Sequence, residues 1–291
     1  MKKVIVPLIV GIFIIIFVLG FVEVDNTDTS VSSDTIVYSV TSIADNLEKV
    51  TGLSKREEDI ICATSKGLVE IDAEGNIQPS LAESYEVNEE GLEYVFKIRN
   101  DAYWSDGNKI TPDDIVSFFR QVITEDNEIS ALMNVFGVKD YLESDKSFSE
   151  TVAITCDENS IKIRLNSKDD GFIEELTKPQ YRLRQRIKLW SNICDTYNQL
   201  IFSGDYKIES VDKEFIKLSK DKKNKNELPG NISIIKDENE EMAMAAFEIG
   251  SRDIVENPPR SQLDRLYSEN KLITMPSNES LFIALNSDKS K

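Results

Sequence analysis

Three observations on the 291-residue chain predict a mixed α/β fold of the α+β kind. Short runs alternate apolar and polar side chains, turn residues separate those runs, and stretches of helical periodicity are interspersed among them. The clearest strand is Leu92 to Arg99, where Leu92, Tyr94, Phe96 and Ile98 alternate with Glu93, Lys97 and Arg99, and Val95 alone breaks the pattern. A period of two places the apolar set on one face of a strand. Asn88 to Gly91 supplies the preceding turn, and Glu83 to Val87 is the expected partner strand. Three more hairpins are expected on the same grounds. Leu68 to Asp72 pairs with Asn76 to Gln78 around Ala73-Glu74-Gly75, where glycine can take the positive φ of a tight loop. Val152 to Cys156 pairs with Ile161 to Leu165 around Asp157 to Ser160, and Lys207 to Val211 with Phe215 to Leu218 around Asp212 to Glu214.

The clearest helix begins at Thr111, whose hydroxyl can cap a first turn holding Pro112, Asp113 and Asp114. Asp114 stands where the acid of a capping box belongs. Ile115, Phe118, Phe119 and Val122 follow at i, i+3, i+4 and i+7, one core-facing stripe. A second helix is predicted from about Glu240 to Ile249, ending at Gly250, with Met242, Ala245, Ala246 and Ile249 facing inward. Asp253 to Glu256 is expected to return to the sheet. A short helix near Leu263 to Tyr267 and strands at Leu272 to Met275 and Leu281 to Leu285 complete the pattern.

The N-terminus has a different character. Val4 to Val22 carries no charged side chain, and at about 1.5 Å per helical residue it spans roughly 28 Å, close to a hydrocarbon core. Lys2 and Lys3 precede it and Glu23, Asp25 and Asp28 follow it, so the positive-inside bias places residues 23 to 291 outside the cytoplasm, at a cell membrane. A retained single-pass anchor over residues 1–22 is favoured over a cleaved signal. No alanine occurs before Ala44 to form a small-residue cleavage site, and the first cysteine, Cys62, lies too far along to carry a lipid. A polar linker over residues 23–34 is expected to lead into a folded domain over 35–286, with 287–291 as a tail.

Composition excludes several classes of function. With 52 acidic against 34 basic residues the net charge is −18, which argues against nucleic acid as a partner because phosphate binding rests on Lys and Arg. The chain contains no histidine, which removes Ser-His-Asp and Cys-His catalysis and the commonest transition-metal ligand. Cys62, Cys156 and Cys194 form neither a disulfide framework nor a metal pair and are read as small buried hydrophobes. Two Ser-x-x-Lys matches, Ser210 to Lys213 and Ser219 to Lys222, fall in or after a predicted hairpin, away from the helix start that would aim both side chains at one substrate. Asp113-Asp114 and Asp169-Asp170 fit a helix start and a solvated face. Trp104, beside a Ser-Asp-Gly turn, is expected to pack into the core. The basic run Lys178, Arg182, Arg184, Arg186 and Lys188 is expected to form a solvated face, the alternative being a contact for anionic headgroups or an acidic partner.

The order of elements then becomes informative. Lys66-Gly67-Leu68-Val69-Glu70-Ile71-Asp72, Gly75, Pro79-Ser80-Leu81-Ala82-Glu83-Ser84-Tyr85, Gly91-Leu92 and Phe96-Lys97-Ile98-Arg99 succeed one another, followed by Trp104-Ser105-Asp106-Gly107 and Thr111-Pro112-Asp113-Asp114. This succession resembles the N-terminal portion of the family 5 extracellular solute-binding proteins, the peptide-, dipeptide- and nickel-binding components of ABC importers. Gly204-Asp205-Tyr206-Lys207 is similar to the family's Gly-Pro-Tyr-Lys turn with Asp205 in place of proline, and the resemblance extends from about Thr35 to Asn286. It implies a periplasmic-binding-protein-like type II fold, here incomplete, with the large third lobe missing. It also implies non-covalent binding of a short peptide for delivery to an ABC transporter permease, with no enzymatic step, no cofactor and no metal, and it raises a second polypeptide carrying the missing lobe as a further partner. The family's early Leu-Asp-Pro is Leu47-Glu48-Lys49 here, and the residues mapping soon after it, Leu53, Ser54 and Lys55, are the implied ligand contacts. A second contact region maps to Ile129 to Leu132 and is represented by Ala131. The alternative is a membrane-anchored interaction or regulatory module that has lost autonomous peptide binding.

Overall fold

Two hydrophobic cores, each built on its own sheet, organise the chain. The computed structural model describes residues 34–72, 74–125, 129–221 and 228–274. In chain order the strands are β1 (Thr35–Val40), β2 (Val69–Ile71), β3 (Ile77–Pro79), β4 (Ala82–Val87), β5 (Glu93–Ile98), β6 (Ile154–Cys156), β7 (Ser160–Arg164), β8 (Tyr206–Val211), β9 (Phe215–Lys220), β10 (Asn231–Lys236) and β11 (Ile254–Val255). The principal helices are α1 (Lys55–Thr64), α2 (Pro112–Glu125), α3 (Glu240–Glu248) and α4 (Leu263–Ser268). Strands β4-β5-β7-β6 form an antiparallel sheet, and β11-β1-β10-β9-β8 a mixed one in which β1 runs parallel to β10 and β11. A small β2–β3 hairpin stands apart.

The first core lies between the antiparallel sheet and α2. Tyr94, Phe96 and Ile98 of β5 are buried on one face, as their alternation requires, and meet Ile115, Phe118, Phe119 and Val122 of α2 in the same cluster. Thr111 N donates to Asp114 Oδ2 at 2.8 Å while Asp114 N donates to Thr111 Oγ1 at 3.3 Å, so the capping box forms with aspartate as its acid. Trp104 is buried beneath its turn and its Nε1 donates to the same carboxylate at 3.3 Å. All four expected hairpins are present.

The second core lies between the mixed sheet and α1, a helix that the reading of periodicity missed. Its signal is the Ser54-x-x-Glu57 capping box ahead of Ile60 and Ile61, both buried. Gly204 ties this helix to β8. Its N–H donates to Thr64 O at 2.9 Å, and a Cβ there would lie 2.3 Å from the Thr64 carbonyl carbon, a contact only glycine avoids. Asp205, where the resemblance expects proline, pairs instead with Lys66 at 2.8 Å.

Several expectations are corrected. Helix α3 is present, but it buries Ala243 and Met244 rather than Met242, Ala245, Ala246 and Ile249; Met242 is 49% and Ile249 79% exposed. The reason is orientation. The helix start is set by Asn239, whose side chain accepts from Met242 N, and just upstream Arg252 grips Asp237 through two hydrogen bonds of 3.0 and 2.9 Å. These anchors turn the helix so that its apolar stripe faces away from the described core. Cys62 is exposed and Cys156 and Cys194 are half-buried, so none is the small buried hydrophobe expected. Leu272 to Thr274 is not a strand, and Met275 and Leu281 to Leu285 lie outside the described residues. Among the described residues no helix is long and apolar enough to cross a membrane; the expected anchor over 1–22, nearly all of the linker over 23–34 and the tail over 287–291 lie outside them.

Replacing Thr111 by Ala removes the cap of α2 and should cost about 1 kcal/mol. Urea unfolding should show a lower midpoint with an unchanged slope.

Candidate ligand-binding site

Beyond the carboxyl end of β1 the chain runs through residues 41–54 and enters α1. Loops in this position, outside the carboxyl ends of parallel strands, are where open α/β sheets bind ligands. Leu53, Ser54 and Lys55 stand together at the end of that loop. Ser54 is the N-cap, with its N–H donating to Glu57 Oε2 at 2.5 Å and its Oγ accepting from Glu57 N at 3.3 Å. Leu53 packs half-buried against the second core, while Ser54 and Lys55 are exposed. Lys55 faces Glu58 at 3.4 Å and Asp59 at 3.7 Å. Ala131 is placed elsewhere, in a short helix (Ser130–Met133) of the first core. It is buried and its N–H donates to Tyr181 Oη at 3.1 Å; Ser130 is the exposed residue beside it.

Electrostatics fix this helix start. Burial pushes the Glu57 carboxyl up, but hydrogen bonds from Ser54 and from Lys49, 3.2 Å away, pull it below the ordinary carboxylate value. One residue earlier, Arg56 spreads its guanidinium over the Tyr38 ring at 5.0 Å, donates to the Tyr38 hydroxyl, and pairs with Asp59 at 2.9 Å and Glu256 at 2.8 Å. It thereby joins α1 to β1 and to the segment after β11. Beside it lies a recess with room for at most one water molecule, lined by Ser42, Ile43, Ala44, Ile216 and Ile234.

The basic run is a solvated face only in part: Lys178, Arg186 and Lys188 are exposed, whereas Arg182 and Arg184 turn inward. Arg182 donates to the carbonyls of Ser65 at 3.0 Å and Cys62 at 3.4 Å, at the C-terminus of α1, where a cation meets the negative end of the helix dipole. Arg184 is fully buried and donates from Nη1 to Leu47 O and, at 3.2 Å, to Lys49 O. Its Nε and Nη2 have no partner among the described residues, and burial pushes the guanidinium down to about 9. Lys188 pairs with Glu48 at 2.8 Å and with Glu125. The run departs from a solvated face at Arg182 and Arg184, which turn inward toward carbonyls that no local pattern advertises. Arg56 is the residue of this region that sequence reasoning did not single out, and Arg184 was named there only for its charge.

Burial pushes the half-buried thiols of Cys156 and Cys194 up, Cys156 to about 11 with Asp113 hydrogen-bonded to it, which opposes thiolate formation. Among the described residues no cluster of three carboxylate or thiol groups could hold a metal ion. A capped helix start at the carboxyl edge of a mixed sheet offers a fixed backbone and half-buried apolar contact, the equipment of a solute-binding protein. The model of the bacterial extracellular solute-binding proteins, family 5 (Middle), matches residues 76–291, and the chain belongs to that family.

Relatives place the resemblance more finely. The oligopeptide-binding protein AliB of Streptococcus pneumoniae is 32% identical over 134 residues, 44% of this chain and 21% of that protein. The dipeptide-binding protein of Lactococcus lactis subsp. cremoris is 22% identical over 208 residues, 69% of this chain and 38% of that one. Among solved structures, Haemophilus influenzae OppA in complex with RPPGFSPFR superposes with a TM-score of 0.71 at 19% identity, over 82% of this chain and 49% of that one. The chain thus spans about half the length of that structure, which shares its fold.

Glu57→Gln tests the electrostatics of the helix start. A carboxyl whose pKa is lower in the folded state contributes stability above its unfolded value of about 4.3, and loses it as pH falls through the folded value. The variant should be about 1 kcal/mol less stable near pH 7, and the gap should narrow as the pH is lowered below the unfolded carboxyl value in denaturant unfolding followed against pH.

Proposed function

We propose that this chain is part of the extracytoplasmic substrate-binding component of an ABC peptide importer, holding short peptides without covalent chemistry for delivery to the permease. What carries this reading is the coincidence of family membership over residues 76–291 with a fixed contact segment, Leu53 to Lys55, at the ligand-binding edge of the mixed sheet. The peptide backbone would be met by main-chain groups near Ser54, with apolar contact from Leu53 and a further contact around Ala131. Enclosure of a peptide takes two walls. In this reading the described lobes supply one of them, and the opposite lobe is supplied in the assembled importer component, a second polypeptide being one source. Residues 1–22 hold the domain on the outer side of the cell membrane, in place of a lipid. No covalent step is assigned to any residue.

Isothermal titration of the full chain in detergent micelles with mixed di- to hexapeptides tests the binding reading. Saturable heat is expected. A folded protein that gives none would favour the alternative, an anchored interaction or regulatory module without autonomous peptide binding. Recovery of a free ectodomain whose N-terminus lies near residue 25 would sink the tether.

A further inference from the structure

The loop that ends in Leu53–Lys55 crosses from one core to the other. Leu47 is buried in the second core and Val50 in the first, while the segment running alongside begins with Leu183 in the first and reaches Trp190 and Ile193 in the second. Four ties join the two segments. Leu47 N donates to Trp190 O at 2.7 Å, Ile193 N donates to Asp45 O at 2.8 Å, Lys188 pairs with Glu48 at 2.8 Å, and Arg184 donates to Leu47 O and Lys49 O. They are not equivalent. The Lys188 side chain is 64% exposed, so its pair is screened by water and salt. The two backbone bonds end at Leu47. Arg184 reaches two residues further toward the contact segment, and it is wholly shielded from solvent.

We infer that Arg184 is a positioning residue for the contact segment: from the seam between the cores its guanidinium fixes the carbonyls of Leu47 and Lys49, and so the height and direction at which Leu53, Ser54 and Lys55 meet a peptide. The inference rests on the proposed function for the peptide it names, but not for the loop it orders. A guanidinium suits the task because Nη1, at the end of a rigid planar group whose charge is delocalised and weakly hydrated, reaches both carbonyls, whereas an ammonium is a compact, strongly hydrated charge on a flexible stem. An apolar side chain of equal length would fill the space and leave both carbonyls without this donor. The loop would keep its backbone bonds at Asp45 and Leu47, the Glu48–Lys188 and Lys49–Glu57 pairs and the Ser54 cap, but lose its buried donor at the carbonyls of Leu47 and Lys49 and so fluctuate more between them and Ser54.

The test uses the full chain in micelles, with hydrogen–deuterium exchange and peptide titration on wild type, Arg184→Met, Arg184→Lys and Lys188→Gln. In Arg184→Met, amides of residues 47–54 should exchange about tenfold faster while those of 115–123 in α2 stay as in wild type, and peptide affinity should fall about tenfold with the number of sites unchanged. Arg184→Lys should recover part of both effects and Lys188→Gln should show neither. An equal rise at 47–54 and 115–123, or no rise at 47–54, would overturn the inference, the first because it marks a purely global loss of stability. If Arg184→Met does not fold, Arg184→Gly with millimolar methylguanidinium decides: slow exchange at 47–54 restored by methylguanidinium but not by methylammonium supports the role, and no restoration overturns it. A wild-type chain that binds no peptide would end the proposed function, while the exchange data would still judge Arg184.

Discussion

The arrangement of this chain depends on how a polar backbone crosses between two cores. A loop through a buried seam carries carbonyl and N–H groups out of water, and each must find a partner or cost about 1–3 kcal/mol. Residues 45–50 make that crossing, and the segment 184–193 answers them with backbone groups and one charged side chain. Burying a guanidinium without a carboxylate is expensive, as its lowered pKa records. The cost is tolerable because the charge is spread over a planar group and two carbonyl dipoles converge on it. A solvated cation could not do the same work, since water would compete for every donor.

The position of the helix start follows from that crossing. With the loop fixed, α1 begins at Ser54 and its far end is received by Arg182 at the carbonyls of Cys62 and Ser65, and by Gly204 against Thr64. Arg56, in its first turn, joins the helix to Tyr38 and Glu256, tying together parts of the chain some 200 positions apart. The helix that carries Lys55 is thus held at its start, along its side and at its end by groups from outside itself. A ten-residue helix is marginal alone, so these external partners, with burial of Ile60 and Ile61, account for its order.

How much of this was legible follows from the range of the forces involved. The hairpins were readable because alternation and turn chemistry are local: Tyr94, Phe96 and Ile98 point inward whatever they meet, and Gly91 takes its positive φ of 72° where the turn was expected. Helix α2 was readable for the same reason, its cap and stripe lying within one segment. Helix α3 shows the limit, because its existence is local but its facing is not. Periodicity picks out Met242, Ala245, Ala246 and Ile249 as one stripe, and the Asn239 cap and the Arg252–Asp237 pair decide that Ala243 and Met244 go inward. Leu53 to Lys55 were drawn from the family resemblance, and the structure shows the helix cap that fixes them. Ala131 came from the same resemblance, yet its methyl and N–H are engaged within the first core. The roles of Arg184 and Arg182 could not be read at all, since their acceptors are backbone carbonyls more than a hundred positions away.

Charge distribution is the remaining consequence. A net charge of −18 suggests an evenly acidic molecule, but several of its cations are turned inward: Arg184 is fully buried, and the side chains of Arg56 and Arg252 are 12% and 16% exposed. Each is engaged in holding chain segments together. Arg56 and Arg252 take carboxylates inward with them, so it is Arg184, buried without one, that leaves the solvent-facing surface more acidic than composition alone indicates. Asp237, which receives Arg252 and Ser39, is held below its ordinary pKa although burial opposes this, whereas burial keeps Asp59 above its own despite Arg56 beside it. An arginine facing inward thus does two things at once, satisfying polar groups that the fold buries and lowering the local cost of carrying so many acids. At the helix start the same holds: Arg56 is turned inward, while Lys49 and Lys55 stay exposed and pair with acids of α1.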